Sequence, residues 1–181
     1  MVWVPKRSSL FEVTSYRDGI YKTAIFERGN LLEEHKEKKT SEPNGTLVHF
    51  IPDNTVFKNY YFINEYIVNQ VWNYCYLNAG LQIFLNGKKY ISKNGLFDLL
   101  SNKTNAEELK YPIIHLKGTD IEIALSHNND YGEELYSFVN GQHTTQGGTH
   151  QQAFREAFVK VIRDFYKKDY DAADIRQSIC A

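Results

Sequence analysis

One glycine-rich segment, Gly147-Gly148-Thr149-His150, contains residue types that suit an anion-binding site. It precedes an apolar stretch with helical spacing, and free amides at a helix N-terminus can bind an anion such as phosphate. The same glycines can also make a tight turn from strand to helix, with Thr149 as the helix cap. We favour this structural interpretation, and the phosphate interpretation stays open.

Other residue combinations that serve catalysis or metal binding are poorly spaced. Ser126 and His127 are neighbours in a predicted strand, so their side chains point to opposite faces and cannot form a nucleophile–base pair. His143 and His150 have no acidic or cysteine partner at metal-ligand spacing. The sequence therefore predicts no catalytic residue and no metal ligand.

Basic residues occur in two groups, and neither is a clear nucleic-acid patch. The first lies among glutamates, which is typical of a solvated loop, and contains Lys36, Lys38 and Lys39. The second lies late on a predicted helix and contains Lys160, Arg163, Lys167 and Lys168. These four either bind nucleic-acid phosphates or complement the helix dipole. The formal net charge of −1 gives no global electrostatic footprint for nucleic acid.

Composition and cysteine usage predict a folded cytoplasmic protein. Hydrophobic residues make up 42% of the 181 residues, which is enough for a core. The two cysteines, Cys75 and Cys180, are far apart and predict reduced thiols. The start Met1–Arg7 is too short for the apolar region of a signal peptide, and no apolar run approaches the ~18 residues of a membrane helix. We therefore expect no membrane association.

The order of predicted elements indicates an α+β fold. Alternating residues flank Asp18-Gly19, which predicts a hairpin over 10–28, and Asn86-Gly87 predicts a second one. Apolar spacing predicts helices over 60–77 and 150–167, with Gly80 as a C-cap of the first and a Thr149–Gln152 capping box on the second. Further strands are predicted over 46–51, 113–116, 121–126 and 135–139. A domain boundary is expected near residue 92.

Three phrases in this order resemble the B subunit of bacterial type IIA DNA topoisomerases, the gyrase and topoisomerase IV B family. They are the segments 44–53 (NGTLVHFIPD), 76–83 (YLNAGLQI) and 136–150 (YSFVNGQHTTQGGTH). The resemblance extends from about Ser9 to Ala181. One departure is Gln177-Ser178, where the family more often has Glu-Gly.

The resemblance implies two domains. Residues 1–92 are expected to be the C-terminal part of a GHKL ATPase domain, and residues 93–181 a truncated transducer domain with a left-handed βαβ crossover. It also implies that the family's catalytic Glu, its Mg²⁺-binding Asn, its adenine-reading Asp and its glycine-rich lid lie outside this chain. The γ-phosphate lysine of the transducer also lies outside it. ATP and Mg²⁺ are therefore expected cofactors of the full-length enzyme, and tight binding by this chain alone is not expected.

Nucleotide-binding roles carry over to three residues, Thr46, Gly45 and Val48. In the family, the Thr after Gly helps hold the water and the Asp that read adenine, and a hydroxyl suits this because it both donates and accepts. Gly45 would allow close approach, and Val48 would line the base pocket. The alternatives are a strand-initiating Thr46, a strand-initiating Gly45 and a core-facing Val48.

The implied function is that of part of an ATP-hydrolysing type II topoisomerase, which couples ATP-driven gate closure to DNA strand passage. The implied partners are a second B subunit, the topoisomerase A subunit and DNA. The alternative is a stand-alone, non-catalytic interaction module or truncated relic. A third possibility is another GHKL family, such as mismatch-repair or chaperone ATPases, and the phrase from Gln146 to His150 argues against it.

Overall fold

The computed structural model describes residues 6–181, so the first five residues of the segment Met1–Arg7 lie outside the described part. The chain divides into two compact units, Met1–Phe62 and Ile63–Ala181. Strands and helices alternate irregularly in the second unit, which makes the chain an α+β protein.

The first unit is built from one antiparallel sheet with the strand order β3-β2-β1-β5, and β4 pairs with β2. Its strands are β1 Ser8–Arg17, β2 Ile20–Glu27, β3 Asn30–Glu34, β4 Lys38–Lys39 and β5 Gly45–Pro52. The predicted hairpin over 10–28 is confirmed. Its turn residues Asp18 and Gly19 have φ values of 53° and 77°, which an Asp-Gly pair adopts easily.

The interior of this sheet contains a polar contact rather than a cluster of large apolar side chains. The Thr14 and Thr23 hydroxyls lie 2.8 Å apart, and both residues are buried. Apolar side chains on both faces of β5 are instead exposed, for example Leu47 at 59% and Val48 at 48%. Both faces of β5 are therefore accessible to solvent in the described part of the chain.

The second unit begins with a helix and a hairpin, followed by a second helix. These are α1 Asn64–Leu77, β6 Gln82–Leu85, β7 Lys88–Ile91 and α2 Leu96–Lys103. Trp72 of α1 stacks on Tyr76 at 5.3 Å and meets the ring edge of Tyr90 of β7 at 5.4 Å. The predicted Asn86-Gly87 turn is confirmed, with φ values of 50° and 79°.

Two details of α1 differ from the prediction. The helix begins at Asn64 because Ile63 has an extended backbone, with φ −88° and ψ 109°. The prediction of Gly80 as the C-cap is wrong, because Asn78 occupies that position and donates its backbone N–H to the Tyr74 carbonyl. Gly80 lies in the following turn with φ +88° and donates its N–H to the Ser92 carbonyl.

The remaining elements of the second unit pack around a short sheet with the order β12-β9-β8. They are a 3₁₀ turn Ala106–Glu108, β8 Ile114–Lys117, β9 Glu122–His127, β10 Phe138–Val139, β11 Gln142–His143, α3 Thr149–Tyr166, α4 Ala172–Arg176 and β12 Ile179–Cys180. Leu100 of α2 packs with Ala124 and Cys180 in a buried cluster. This cluster joins α2 to the sheet.

Residues 134–136 run parallel to 179–181, and α3 lies between them in the chain. Glu134 donates its N–H to the Ile179 carbonyl at 2.9 Å, and Tyr136 donates to the Ala181 carbonyl at 2.7 Å. An extended segment with an isolated parallel bridge between Glu134 and Cys180, a helix and the strand β12 thus follow one another in the order of a βαβ unit. The left-handed sense of this crossover stays a prediction.

The long helix α3 matches its prediction to within one residue at each end, but the predicted capping box is wrong. Gly148 is the N-cap, Thr149 is the first helical residue, and no side chain caps the helix. Its apolar stripe is buried in its middle, at Val159, and exposed toward its C-terminus, where Phe165 is 77% exposed.

The loop between β7 and α2 contains the expected boundary near residue 92. The Asp98 carboxylate accepts hydrogen bonds from the Ser92 hydroxyl at 2.8 Å and from the Asn94 amide nitrogen of the backbone at 3.0 Å. The compact units divide at 62/63, and the division of the family's two domains near 92 stays a prediction. None of the helices within the described part of the chain is long and apolar enough to span a bilayer.

Candidate nucleotide-binding strand

Strand β5 contains the three residues for which the family resemblance implies nucleotide-binding roles. Thr46 pairs with Ser15 and Val48 with Val13 of β1, so Thr46 and Val48 share one face of the sheet. Gly45 opens the strand opposite Tyr16 and belongs to the other face. All three are exposed within the described chain. The structure therefore brings Thr46 and Val48 together on one accessible surface.

Gly45 has open space around it. A Cβ built on Gly45 would meet its nearest atom, the Pro43 carbonyl oxygen, only at 4.0 Å. The packing of the described residues therefore leaves room for a side chain here. Neither the packing nor the backbone of the described residues requires glycine at this position.

A side-chain contact fixes the start of β5. The backbone N–H of Asp18, in the β1–β2 turn, donates to the Asn44 side-chain oxygen at 2.8 Å. Asn44 directly precedes Gly45, so the hairpin turn holds the first residues of β5 in place.

An ion pair fixes the other end of β5. Arg28, which follows β2, donates from Nε to Asp53 Oδ2 at 2.5 Å, and Asp53 Oδ1 accepts from the Thr55 backbone N–H at 2.8 Å and the Thr55 hydroxyl at 2.7 Å. The Arg28 hydrogen bond, followed by those from Thr55, lowers the pKa of Asp53 to about 2. Sequence reasoning missed this pair, although Asp53 is the last residue of the segment 44–53 that carries the family resemblance.

The glycine-rich segment before α3 has a structural explanation. Gly147 has φ +73° and Gly148 φ +155°. A Cβ on Gly147 would lie 2.4 Å from the Gln151 side-chain oxygen, and one on Gly148 would lie 2.9 Å from the His150 ring. The positive φ favours glycine at both positions, whereas the Gln151 side chain could move away from a Cβ at Gly147. This conformation agrees with the interpretation as a strand-to-helix turn.

The histidines of this region have partners within the protein. His150 Nε2 lies 3.0 Å from the Thr144 hydroxyl, and the His143 ring stacks on Phe138 at 5.0 Å. Within residues 6–181, no group of three His, Cys, Asp or Glu side chains is arranged to hold a metal ion.

Ser126 and His127 are bound separately. The Ser126 hydroxyl donates to the Tyr111 carbonyl at 2.8 Å. His127 donates from Nε2 to the Ile175 carbonyl at 3.0 Å, and its Nδ1 accepts from the Tyr111 hydroxyl at 2.6 Å. Both side chains therefore have structural roles, as expected from their adjacency in a strand.

One of the four basic residues late on α3 is bound within the chain. The Arg163 guanidinium donates twice to the Tyr170 carbonyl, at 2.9 and 2.6 Å, and lies 3.1 Å from Asp169. Lys167 is the C-cap of α3, with a left-handed backbone at φ 53°. These contacts close the C-terminal end of the helix, so they favour the structural interpretation over the DNA interpretation for Arg163.

A second ion-pair group, also missed from the sequence, joins α3 to α4. Glu133 accepts from Arg155 Nε of α3 and from Arg176 Nε of α4, each at 2.6 Å. Burial raises the pKa of Glu133, but the hydrogen bonds from the two arginines outweigh it, so the net pKa lies below its ordinary value. Glu133 therefore holds the end of α4, and with it the start of β12.

The sequence model of the DNA gyrase B family matches residues 82–180. The chain belongs to the DNA gyrase B family. Over 174 residues it is 43% identical to the B subunit of DNA topoisomerase 4 from Borreliella burgdorferi, covering 96% of this chain and 29% of the relative. The chain thus spans less than a third of the length of this curated family member.

Solved structures agree with this placement at the level of the fold. The 43K ATPase domain of Thermus thermophilus gyrase B matches with a TM-score of 0.75 at 24% identity, covering 96% of this chain and 54% of that one. The B-subunit of the DNA gyrase from Myxococcus xanthus matches with a TM-score of 0.79 at 20% identity, covering 96% and 55%. The α+β fold expected for the gyrase B family is therefore confirmed.

Proposed function

We propose that the chain is part of the ATP-binding B subunit of a cytoplasmic type II DNA topoisomerase. In this role it couples ATP-driven closure of a dimeric gate to DNA strand passage. The observation that carries the proposal is the gyrase B family match over residues 82–180. The partners are a second B subunit, the topoisomerase A subunit and DNA. Nucleotide acts by favouring one orientation of the transducer, residues 93–181, over another.

A chimeric B subunit tests this function. The 174 aligned residues of the Borreliella burgdorferi protein are replaced by those of this chain, which are 43% identical. Combined with the partner A subunit, the chimera is expected to relax supercoiled DNA only when ATP is present. A folded chimera that closes its gate on an ATP analogue but never relaxes DNA would contradict the coupling role.

Strand β5 supplies one wall of the adenine pocket in this proposal. The Thr46 hydroxyl orients a bridging water, Val48 on the same face contacts the base, and Gly45 allows close approach. Three observations support it: the shared face of Thr46 and Val48, their exposure, and the side-chain contacts that fix β5 at both ends.

The 181-residue chain alone is proposed not to bind or hydrolyse ATP appreciably. A binding site encloses most of its ligand, whereas one face of one strand contacts only a single side of a base. ATP and Mg²⁺ are cofactors of the full-length enzyme, because phosphoryl transfer needs a metal on the phosphates and a residue that positions water.

Isothermal titration calorimetry of this chain with a non-hydrolysable ATP analogue tests that statement. No saturable heat is expected up to millimolar analogue. A micromolar dissociation constant that Thr46→Ala abolishes, and that Leu47→Ala on the opposite face of β5 leaves intact, would show a working site and refute it.

A further inference from the structure

The start of helix α2 packs tightly against the end of α1. Gly95, the N-cap of α2, has φ +62° and ψ −125°. A Cβ on Gly95 would lie 3.2 Å from the Tyr76 carbonyl oxygen and 3.0 Å from the Glu122 carboxylate. Glu122 of β9 also accepts a hydrogen bond from the Leu96 backbone N–H. The two helices are therefore in close contact at Gly95, and this point allows little translation of one helix along the other.

The other end of α2 is joined to α1 by a hydrogen bond between side chains. Asn102 Nδ2 donates to the Tyr76 hydroxyl at 3.0 Å. The Tyr76 side chain reaches α2 from a buried position, with 8% of the residue exposed. We call this hydrogen bond the Tyr76–Asn102 clasp.

Each partner of the clasp is held in place by its own surroundings. Asn102 Nδ2 also donates to the Asp98 carbonyl within α2 at 2.9 Å. The Tyr76 ring stacks on Trp72 of α1 at 5.3 Å, and Trp72 in turn meets the ring edge of Tyr90 of β7 at 5.4 Å. Neither side chain is free to follow the other if the helices move. The clasp therefore depends on how α2 lies on α1.

The spacing of the two contacts makes the clasp sensitive to rotation. Asn102 is seven residues beyond Gly95, which is about 10 Å along a helix. A rotation of α2 by about 6° around Gly95 moves Asn102 by roughly 1 Å. A 3.0 Å bond that lengthens by this amount is no longer a hydrogen bond. A small rotation thus breaks the clasp and leaves the contact at Gly95 in place.

We propose that the Tyr76–Asn102 clasp selects one orientation of residues 93–181 relative to residues 63–92, both within the unit Ile63–Ala181. The inference rests on the proposed function, in which nucleotide shifts the orientation of residues 93–181. One neutral hydrogen bond favours the clasped orientation by a factor of about two to ten. A nucleotide state that favours another orientation must overcome this factor. Tyr76 is in this role a positioning residue, because it acts through α2.

A comparison of tyrosine variants tests the clasp in this chain without ATP or DNA. Tyr76→Phe keeps the ring and removes the hydroxyl, whereas Tyr74→Phe removes a hydroxyl from the same helix at a residue that is 40% exposed. Residual dipolar couplings measured by NMR report the orientation of residues 93–181 relative to 63–92. One alignment tensor is expected to fit both segments in the unmodified chain and in Tyr74→Phe. In Tyr76→Phe, the two segments are expected to require different tensors, because their relative orientation is averaged.

The chimeric B subunit tests whether the clasp acts in coupling. The number of ATP molecules hydrolysed per supercoil relaxed is measured for Tyr76→Phe, Asn102→Ala and the double variant. Each single variant is expected to raise this ratio at least twofold with an unchanged KM for ATP, and the double variant is expected to raise it no further. A purely structural role would lower hydrolysis and relaxation in proportion, so that the ratio stayed constant.

The outcomes separate the clasp from the proposed function. A single tensor in Tyr76→Phe, or an equal change in Tyr74→Phe, would overturn the clasp. An unchanged ratio in both single variants, or a double variant whose effect is the product of the two, would overturn its role in coupling. An unsubstituted chimera that never relaxes DNA would refute the proposed function, and the dipolar couplings would then decide the clasp by themselves.

Discussion

Ser178 is a buried residue with a left-handed backbone conformation, which is uncommon for residues other than glycine. Replacing it by alanine and by glycine separates the cost of this conformation from the contribution of its side-chain hydrogen bond. Its φ is +66°, and its hydroxyl donates to the Asp130 carbonyl at 2.5 Å. The family resemblance places glycine here more often. The structure gives the reason for the difference, because the hydroxyl contributes a hydrogen bond that offsets the cost of the left-handed backbone.

Ser178→Ala keeps the backbone strain and removes the partly buried hydrogen bond to the Asp130 carbonyl, which costs about 0.5–1.5 kcal/mol. Ser178→Gly loses the same hydrogen bond but relieves about 1–2 kcal/mol of left-handed strain, less about 0.5–1 kcal/mol for the greater freedom of the unfolded chain. The glycine variant is therefore expected to be more stable than the alanine variant by roughly 1 kcal/mol.

Urea unfolding followed by the fluorescence of Trp72 measures this difference, because Trp72 lies in the same compact unit as Ser178. The second of the two tryptophans, Trp3, is replaced by Phe in all variants so that the signal reports this unit. Equal stability of the alanine and glycine variants would refute the strain argument. An alanine variant as stable as wild type would refute the hydrogen-bond argument.

Three further predictions concern charge. Glu133→Gln weakens the link between Arg155 and Arg176 and is expected to lower the free energy of unfolding by about 1–3 kcal/mol near pH 7. Because the pKa of Glu133 is lowered in the folded state, the stability advantage of wild type is present above the ordinary pKa of 4.5 and is lost as the pH falls below it. Urea titrations at several pH values measure this difference. Asp53→Asn is expected to destabilise the first unit in the same pH-dependent way: the stability advantage of wild type is full above the ordinary pKa of 3.8 and is lost as the pH falls toward about 2. Acid-unfolding curves from circular dichroism that are identical for wild type and Asp53→Asn would contradict this. The isolated chain, with net charge −1, is expected not to bind duplex DNA tightly at about 150 mM salt, and fluorescence anisotropy showing nanomolar affinity would contradict this.

Local chemistry in the sequence predicts much of the fold. Asp18-Gly19 and Asn86-Gly87 carry their own turn geometry, and the apolar stripe of α3 places that helix to within one residue. The helix ends are less predictable, because caps depend on backbone angles that several residue types can adopt. Gly148 is thus the N-cap of α3, a position that the sequence predicted for Thr149.

Pairing between distant residues explains what the sequence could not predict. Arg28 and Asp53 are 25 residues apart, and Glu133 and Arg176 are 43 apart. The pairing of residues 134–136 with β12 is likewise set by the tertiary fold. For the candidate site, the period of two in β5 predicts that Thr46 and Val48 share a face. The anchoring of β5 at both ends is visible only in the structure.

The affinity of the chimeric B subunit for ATP, measured with Thr46→Val and Leu47→Ala, tests the central claim most directly. Thr46→Val keeps the shape of the side chain and removes only the hydroxyl. Loss of one water-mediated hydrogen bond is expected to raise the dissociation constant about tenfold. Leu47→Ala, on the opposite face of β5, is expected to leave it unchanged. Unchanged affinity in Thr46→Val, or an equal loss in both variants, would contradict the assignment of this strand face to the adenine pocket.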